Sequence, residues 1–129
     1  MASEKPVERP LSPFMIGPYY RPQMTSMTSI LTRITGNALI LPTFLIVWWL
    51  LSAANGPEYF ATVNGIVTSW FGDLVFTVSC LAIWYHYLAG IRHFIWDTGR
   101  ALDIPTAEKL GWACLIGSVV LTVLTIVIV

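Results

Sequence analysis

Three long stretches without a charged side chain, residues 34–57, 74–91 and 110–129, dominate this sequence. A hydrocarbon layer of about 30 Å needs roughly 20 helical residues, and each stretch suffices if the second continues toward Trp96. Only 11% of the residues are charged, against about 25% in an ordinary soluble domain. The sequence therefore predicts an all-α membrane protein with three transmembrane helices, at about residues 30–54, 70–96 and 108–129.

The basic residues lie on one side of these spans. Four precede the first uncharged stretch and three lie between the second and third, whereas the first loop and the C-terminus contain none. Because positively charged loops remain cytoplasmic, the N-terminus and second loop are predicted to face the cytoplasm, and the loop with Glu58 and Asp73 to lie outside. The N-terminus lacks the pattern of a secretory signal or a transit peptide, which favours a bacterial inner-membrane protein.

The N-terminal residues 1–24 differ from the rest because they contain five prolines and scattered charges. Proline and the residue before it disfavour helix. This composition predicts an extended cytoplasmic arm, followed by the three-helix membrane anchor at residues 25–129. Pro42, inside the first span, is expected to bend that helix.

Two classes of function fit this chain poorly. Nucleic-acid binding is excluded, because the net charge is zero and no basic cluster is present to displace counterions from phosphate. A transporter or channel subunit ranks last, since only the second span carries ionisable residues at depth. The composition predicts instead that the chain is surrounded by the lipid bilayer.

The second span carries a group of residues that are unusual in a lipid-facing helix: His86, Gly90, Arg92, His93 and Asp97. At about 100° per residue, all of them except Arg92 fall on one face, within roughly 60°. His86 lies ten residues before Trp96, the predicted cytoplasmic end, and hence near the middle of the membrane. An imidazole at that depth is costly unless it meets a partner, a metal or a cavity.

One hypothesis is that His86 is an axial ligand of a haem iron, with Gly90 leaving room for a flat macrocycle one turn away. The alternative is an interhelical hydrogen bond. His93 lies about 10.5 Å from His86 along the helix axis, so the two cannot ligate opposite faces of one iron. The chain has only two histidines. A bis-histidine haem therefore predicts a partner subunit that supplies the second ligand.

A second group lies at the cytoplasmic start of the first span, where Ser29, Arg33 and Gly36 share a helix face. A hydroxyl and a guanidinium at the membrane boundary are able to hydrogen-bond a quinone carbonyl or a haem propionate. The alternative is a helix cap followed by a positively charged anchor at the membrane surface.

Three segments together resemble the cytochrome b subunit of succinate dehydrogenase, the larger membrane anchor of complex II. They are Arg9-Pro10-Leu11-Ser12-Pro13, the run from Ser29 to Gly36, and His86-x3-Gly90-Ile91-Arg92-His93-x3-Asp97. The resemblance covers nearly the whole chain, and the helix-2 motif is the most specific part of it. Thr32 and Phe14 depart from the pattern, because many members have histidine there, and Phe14 is assigned no role.

The resemblance implies a heterodimeric helical bundle in which His86 ligates a haem b shared with a second small anchor subunit. It implies that Ser29 and Arg33 border a ubiquinone site and that Arg33 also meets a haem propionate. Gly90, Arg92, His93 and Asp97 would be supporting residues. An iron–sulfur subunit and a flavoprotein subunit would carry out succinate oxidation, since this chain has no flavin fingerprint or cluster-binding cysteine spacing. No catalytic residue is assigned to it.

Two alternatives to a succinate:ubiquinone oxidoreductase anchor stay open. A quinol:fumarate reductase anchor would have the same features, because the direction of catalysis depends on the quinone potential and the partner subunits. A structural anchor that has lost haem would also recruit soluble subunits. Haem content distinguishes this last reading from the others.

Overall fold

The computed structural model describes residues 20–129, which form five helices. These are α1 (Met24–Ala38), α2 (Ile40–Ala54), α3 (Pro57–Val67), α4 (Trp70–Asp97) and α5 (Ile104–Ile128). Together α1 and α2 make one apolar segment of 31 residues, and this segment, α4 and α5 are long and apolar enough to cross a membrane. The predicted all-α fold with three candidate transmembrane helices is confirmed. Most of the predicted N-terminal arm lies outside the described residues.

Pro42 explains why the first membrane segment is divided at Leu39. Proline has no N–H, so position 42 cannot donate to the carbonyl of Ala38, and the ring crowds that carbonyl. α1 ends at Ala38 as a result. Helical bonding continues around the break, since the Leu39 N–H donates to the Thr35 carbonyl at 3.2 Å and the Leu39 carbonyl accepts from the Thr43 N–H at 3.3 Å. The expected distortion is therefore a local interruption one turn before the proline.

α4 is the central helix, in contact with α1, α2, α3 and α5. Its buried positions, and those of α5 facing it, carry mostly small side chains, such as Ala82, Ala89, Cys114 and Ser118. Small residues let membrane helices approach closely, and close packing is the main attraction between helices in lipid. Large apolar side chains instead point outward, among them Phe44, Phe94 and Ile116. This arrangement suits a surface covered by lipid.

Helix α3, between the first two candidate spans, was not predicted from the sequence. It begins at Pro57, directly after Gly56 at φ 122°, and proline is favoured at a first helical position because its missing N–H has no helical acceptor there. The indole of Trp48 donates to the Tyr59 hydroxyl at 2.9 Å, and that of Trp49 donates to the Asn64 side-chain oxygen at 3.0 Å. These two bonds hold α3 against the end of α2.

The start of α5 has a side-chain cap. The Asp103 carboxylate accepts from the backbone N–H of Thr106 at 3.0 Å, and its hydrogen bonds with Thr106 hold the pKa of Asp103 below its ordinary value. A depressed pKa means that the ionised cap stabilises the folded state at pH values above the ordinary pKa. That contribution is lost as the pH falls through the lowered value.

Replacing Asp103 by alanine is expected to loosen the first turn of α5 at neutral pH, because the N–H of Thr106 loses its acceptor. Faster amide hydrogen exchange at Thr106 and Ala107 would report this. Asp103→Asn keeps an oxygen acceptor and should protect these amides without the pH dependence. Equal exchange rates in the alanine variant and the unaltered protein would contradict this role of the cap.

Candidate cofactor site

His86 lies where α4 passes α1. Its Nδ1 atom is 3.1 Å from the Thr32 carbonyl oxygen and 3.4 Å from the Thr35 hydroxyl oxygen. A carbonyl oxygen only accepts hydrogen bonds, so this contact assigns the proton of the neutral imidazole to Nδ1. Nε2 then keeps its lone pair. That lone pair is what a metal requires of a histidine ligand, and the bond to Thr32 fixes the orientation of the ring.

Gly36 lets the imidazole approach the backbone of α1. A Cβ atom at position 36 would lie 2.9 Å from Cε1 of His86 and 3.4 Å from Nδ1, so a larger residue would displace the ring. This contact is not evident from the sequence, where Gly36 was grouped with Ser29 and Arg33. The available signal was a glycine in a helix interior, which is unfavourable by about 1 kcal/mol and usually has a packing reason.

Tyr85 fixes the register of α1 against α4 beside His86. Its hydroxyl donates to the carbonyl of Thr28 at 2.9 Å, and the side chain is almost completely buried. Thr28 is one helical turn before Thr32, whose carbonyl meets His86. Neighbouring residues of α4 therefore bond to successive turns of α1, which holds the imidazole at a defined height.

The four residues of the predicted polar face on α4 lie at or near the surface of the described helices. His86, His93 and Asp97 are exposed and Gly90 is half-buried. A Cβ at Gly90 would meet nothing within 4 Å, so space is open one turn from His86. The His93 ring packs edge-on against Trp96, with ring centroids 5.2 Å apart. Within residues 20–129, no three His, Cys, Asp or Glu side chains come together as a metal-ion site.

An apolar cavity of about 280 Å³ lies between the start of α2 and α4. Pro42, Ser79 and Ala82 contribute to its lining, and Ala82 is one helical turn from His86. The break in the first membrane segment thus borders an apolar space whose lining on α4 ends at Ala82, one helical turn before His86. An apolar group is able to enter this side of the α1–α4 pair.

Ser29 and Arg33 lie on the face of α1 that approaches His86. Ser29 is half-buried and Arg33 is exposed, and their spacing places both on the helix face that carries Gly36. Gly36 touches the imidazole. Ser29 and Arg33 therefore lie on the same side of the α1–α4 pair as His86, nearer the start of α1.

Arg92 does not belong to the exposed polar face. Its side chain is 2% exposed, and its guanidinium carbon lies 4.7 Å from the centroid of the Trp96 ring. A Cβ atom at Gly111 of α5 would be 3.6 Å from its Nη1. Arg92 therefore points between α1 and α5, away from the open space beside Gly90.

These features define a class: a helical membrane protein with an imidazole nitrogen available as a ligand beside open, apolar space. Comparison with known families is more specific. Residues 5–125 match the succinate dehydrogenase/fumarate reductase transmembrane subunit family. The chain belongs to this family and is a multi-pass membrane protein, and the resemblance drawn from its motifs is confirmed.

Individual relatives agree with this assignment. The chain is 45% identical to the succinate dehydrogenase cytochrome b556 subunit of Paracoccus denitrificans, over 99% of this chain and 97% of the relative. It is 35% identical to the b556 subunit of Rickettsia conorii, over 91% and 90% of the two chains. The cytochrome b560 subunit of Reclinomonas americana is 33% identical, over 84% and 78%.

Proposed function

We propose that this chain is the haem b-binding membrane anchor of a succinate:ubiquinone oxidoreductase in a bacterial inner membrane. The observation that carries the proposal is the geometry of His86, whose Nδ1 is engaged by the Thr32 carbonyl while Nε2 is free to ligate. The relatives are named as cytochromes b556 and b560, which supports a haem. Such a haem would supply a one-electron redox centre beside the quinone site.

The residues around His86 fit this group. The Thr32 carbonyl raises the electron-donating power of the imidazole by accepting a hydrogen bond from its Nδ1–H group, and this bond restricts rotation of the ring. The open space at Gly90 leaves room for a flat macrocycle one turn after His86, and an apolar cavity lies on the other side of His86, reaching as far as Ala82. His86 is exposed within this chain, so a second small anchor subunit is able to approach and provide the other axial ligand.

The remaining subunits follow from what the chain lacks. Succinate oxidation needs a flavoprotein subunit and an iron–sulfur subunit, since the sequence contains neither a flavin fingerprint nor cluster-binding cysteine spacing. The positive-inside rule puts the N-terminus in the cytoplasm. The iron–sulfur subunit is therefore proposed to dock at the end of the bundle where α1 begins.

Ser29 and Arg33 are proposed to bind the ubiquinone head group near that docking surface. The Ser29 hydroxyl and the Arg33 guanidinium each donate toward a quinone carbonyl, and a charged donor gives the stronger bond. Arg33 is additionally placed to meet a haem propionate, because it shares the helix face of Gly36, which touches His86. His93 and Asp97 are proposed to have a structural role at the cytoplasmic end of α4, separate from haem ligation.

Replacing Ser29 by alanine is expected to lower succinate:ubiquinone reductase activity about tenfold, as the loss of one hydrogen bond of roughly 1.5 kcal/mol would do. Succinate oxidation with phenazine methosulfate, which accepts electrons upstream of the quinone site, should be unchanged. Thr62→Ala on α3 provides a control in which a hydroxyl away from the proposed site is removed. Unchanged ubiquinone reduction by the Ser29 variant would remove Ser29 from the site.

A further inference from the structure

Arg92 presents a buried positive charge without a hydrogen-bond acceptor. It is among the largest fully buried side chains of the described residues, and none of its nitrogens, Nε, Nη1 or Nη2, has a hydrogen-bond partner within residues 20–129. A guanidinium remains protonated under all conditions relevant to a protein. Burying it without compensation strongly disfavours the fold. An acceptor from outside these residues must therefore meet it.

The geometry restricts where this acceptor lies. Trp96 covers one face of the guanidinium, but the N–H groups point outward in the guanidinium plane and stay free to donate. A Cβ atom at Gly111 of α5 would lie 3.6 Å from Nη1 of Arg92 and 3.5 Å from Cγ of Met24, so both side chains reach the same part of α5. Met24 is the first residue of α1. The guanidinium therefore lies beside the N-terminus of that helix.

The N-terminus of α1 has donors of its own. Its cap residue, Gln23, makes no side-chain capping bond, and the first turn contains no acidic residue. The N–H of Met27 already donates to the Gln23 carbonyl, whereas the amides before it have no acceptor inside the helix. The first turn of α1 thus has backbone N–H groups without an acceptor and the positive end of the helix dipole, and Arg92 lies near the same end of the helix.

We propose that Arg92 and the N-terminus of α1 bind the phosphate of an anionic phospholipid headgroup. A planar guanidinium pairs with two phosphate oxygens at once. Arg92 lies five residues from the end of α4, about 7.5 Å along the axis, which is the depth of a membrane boundary. Arg21 and Lys109 lie at the same end and are exposed. Basic pockets between helices on the cytoplasmic side favour anionic headgroups.

The test uses the whole complex, purified through a tag on this chain and stripped of lipid by detergent exchange. Native mass spectrometry then follows binding of phosphatidylglycerol, phosphatidylcholine or inorganic phosphate. The unaltered complex is expected to bind one phosphatidylglycerol per chain in preference to the other two. Arg92→Gln should weaken that binding at least tenfold, whereas Arg100→Gln, which removes the same charge from an exposed position, should leave it unchanged.

Equal phosphatidylglycerol affinity in the Arg92→Gln and unaltered complexes would overturn the proposal, as would be the case if a partner carboxylate or water satisfied the guanidinium. Inorganic phosphate that binds as tightly and depends on Arg92 would overturn the lipid assignment in favour of a free oxyanion. If Arg92→Gln does not assemble, Gln23→Asp supplies the second test. Its carboxylate competes for the same donors and should weaken lipid binding at least tenfold, and unchanged binding would overturn the site.

Discussion

Replacing His86 by alanine is expected to reduce the haem b content of the purified complex at least tenfold. The imidazole is the ligand that this chain offers, held by its bond to the Thr32 carbonyl at 3.1 Å, and even loss of an outer partner of a metal ligand typically costs 10- to 100-fold in affinity. Removal of the ligand itself should have a larger effect. The pyridine haemochrome assay, normalised to the amount of this chain, measures it.

His93→Ala is the matched control for that experiment. Both histidines lie on α4 and are exposed, but His93 packs against Trp96 and lies two turns from His86. The control variant should keep its haem and its reduced spectrum. Full haem content in the His86 variant, or loss of haem in the His93 variant alone, would contradict the assignment of His86.

Enlarging Gly36 is expected to produce the second large effect. A Cβ there would approach Cε1 of His86 to 2.9 Å, and moving the ring away from it lengthens the 3.1 Å bond to the Thr32 carbonyl. Gly36→Ala should weaken haem retention and Gly36→Val should abolish it, because valine adds branched bulk at the same point. Haem content and the position of the reduced α-band of the purified complex measure the change.

Gly65→Ala separates this steric effect from a general effect of changing a helical glycine. A Cβ at Gly65 of α3 would meet nothing within 4 Å. Both alanine substitutions gain helix propensity, by up to about 1 kcal/mol, so a loss confined to position 36 must come from the contact with His86. A Gly36→Val complex with full haem and an unchanged spectrum would show that the imidazole does not need this close approach.

The transmembrane architecture was predictable because absence of charge over about 20 residues is a strong constraint in lipid. The first helix begins at Met24, well before the uncharged stretch that starts at residue 34. The hydroxyl of Thr28 donates to the carbonyl of Met24 within the same helix. Such a bond satisfies the hydroxyl within its own helix, so the residue needs no polar partner from another helix.

The partners of the site residues were not predictable from periodicity. Helical spacing put His86 and His93 on one face, but membrane helices are apolar all round, so no polar contrast shows which face meets a neighbour. The contact of His86 with Thr32 and Gly36 therefore emerges only from the packing of α1 on α4. Arg92 is a similar case, because sequence shows its charge but not its burial between helices.

The most direct test of the central claim is a dithionite-reduced minus oxidised visible spectrum with haem stoichiometry. The complex would be purified in mild detergent through a tag on this chain. One b-type haem per chain, together with iron–sulfur and flavoprotein subunits, is the predicted result. An intact complex that retains those soluble subunits but contains no haem would contradict the claim, and the role of His86 would then be limited to its hydrogen bond with α1.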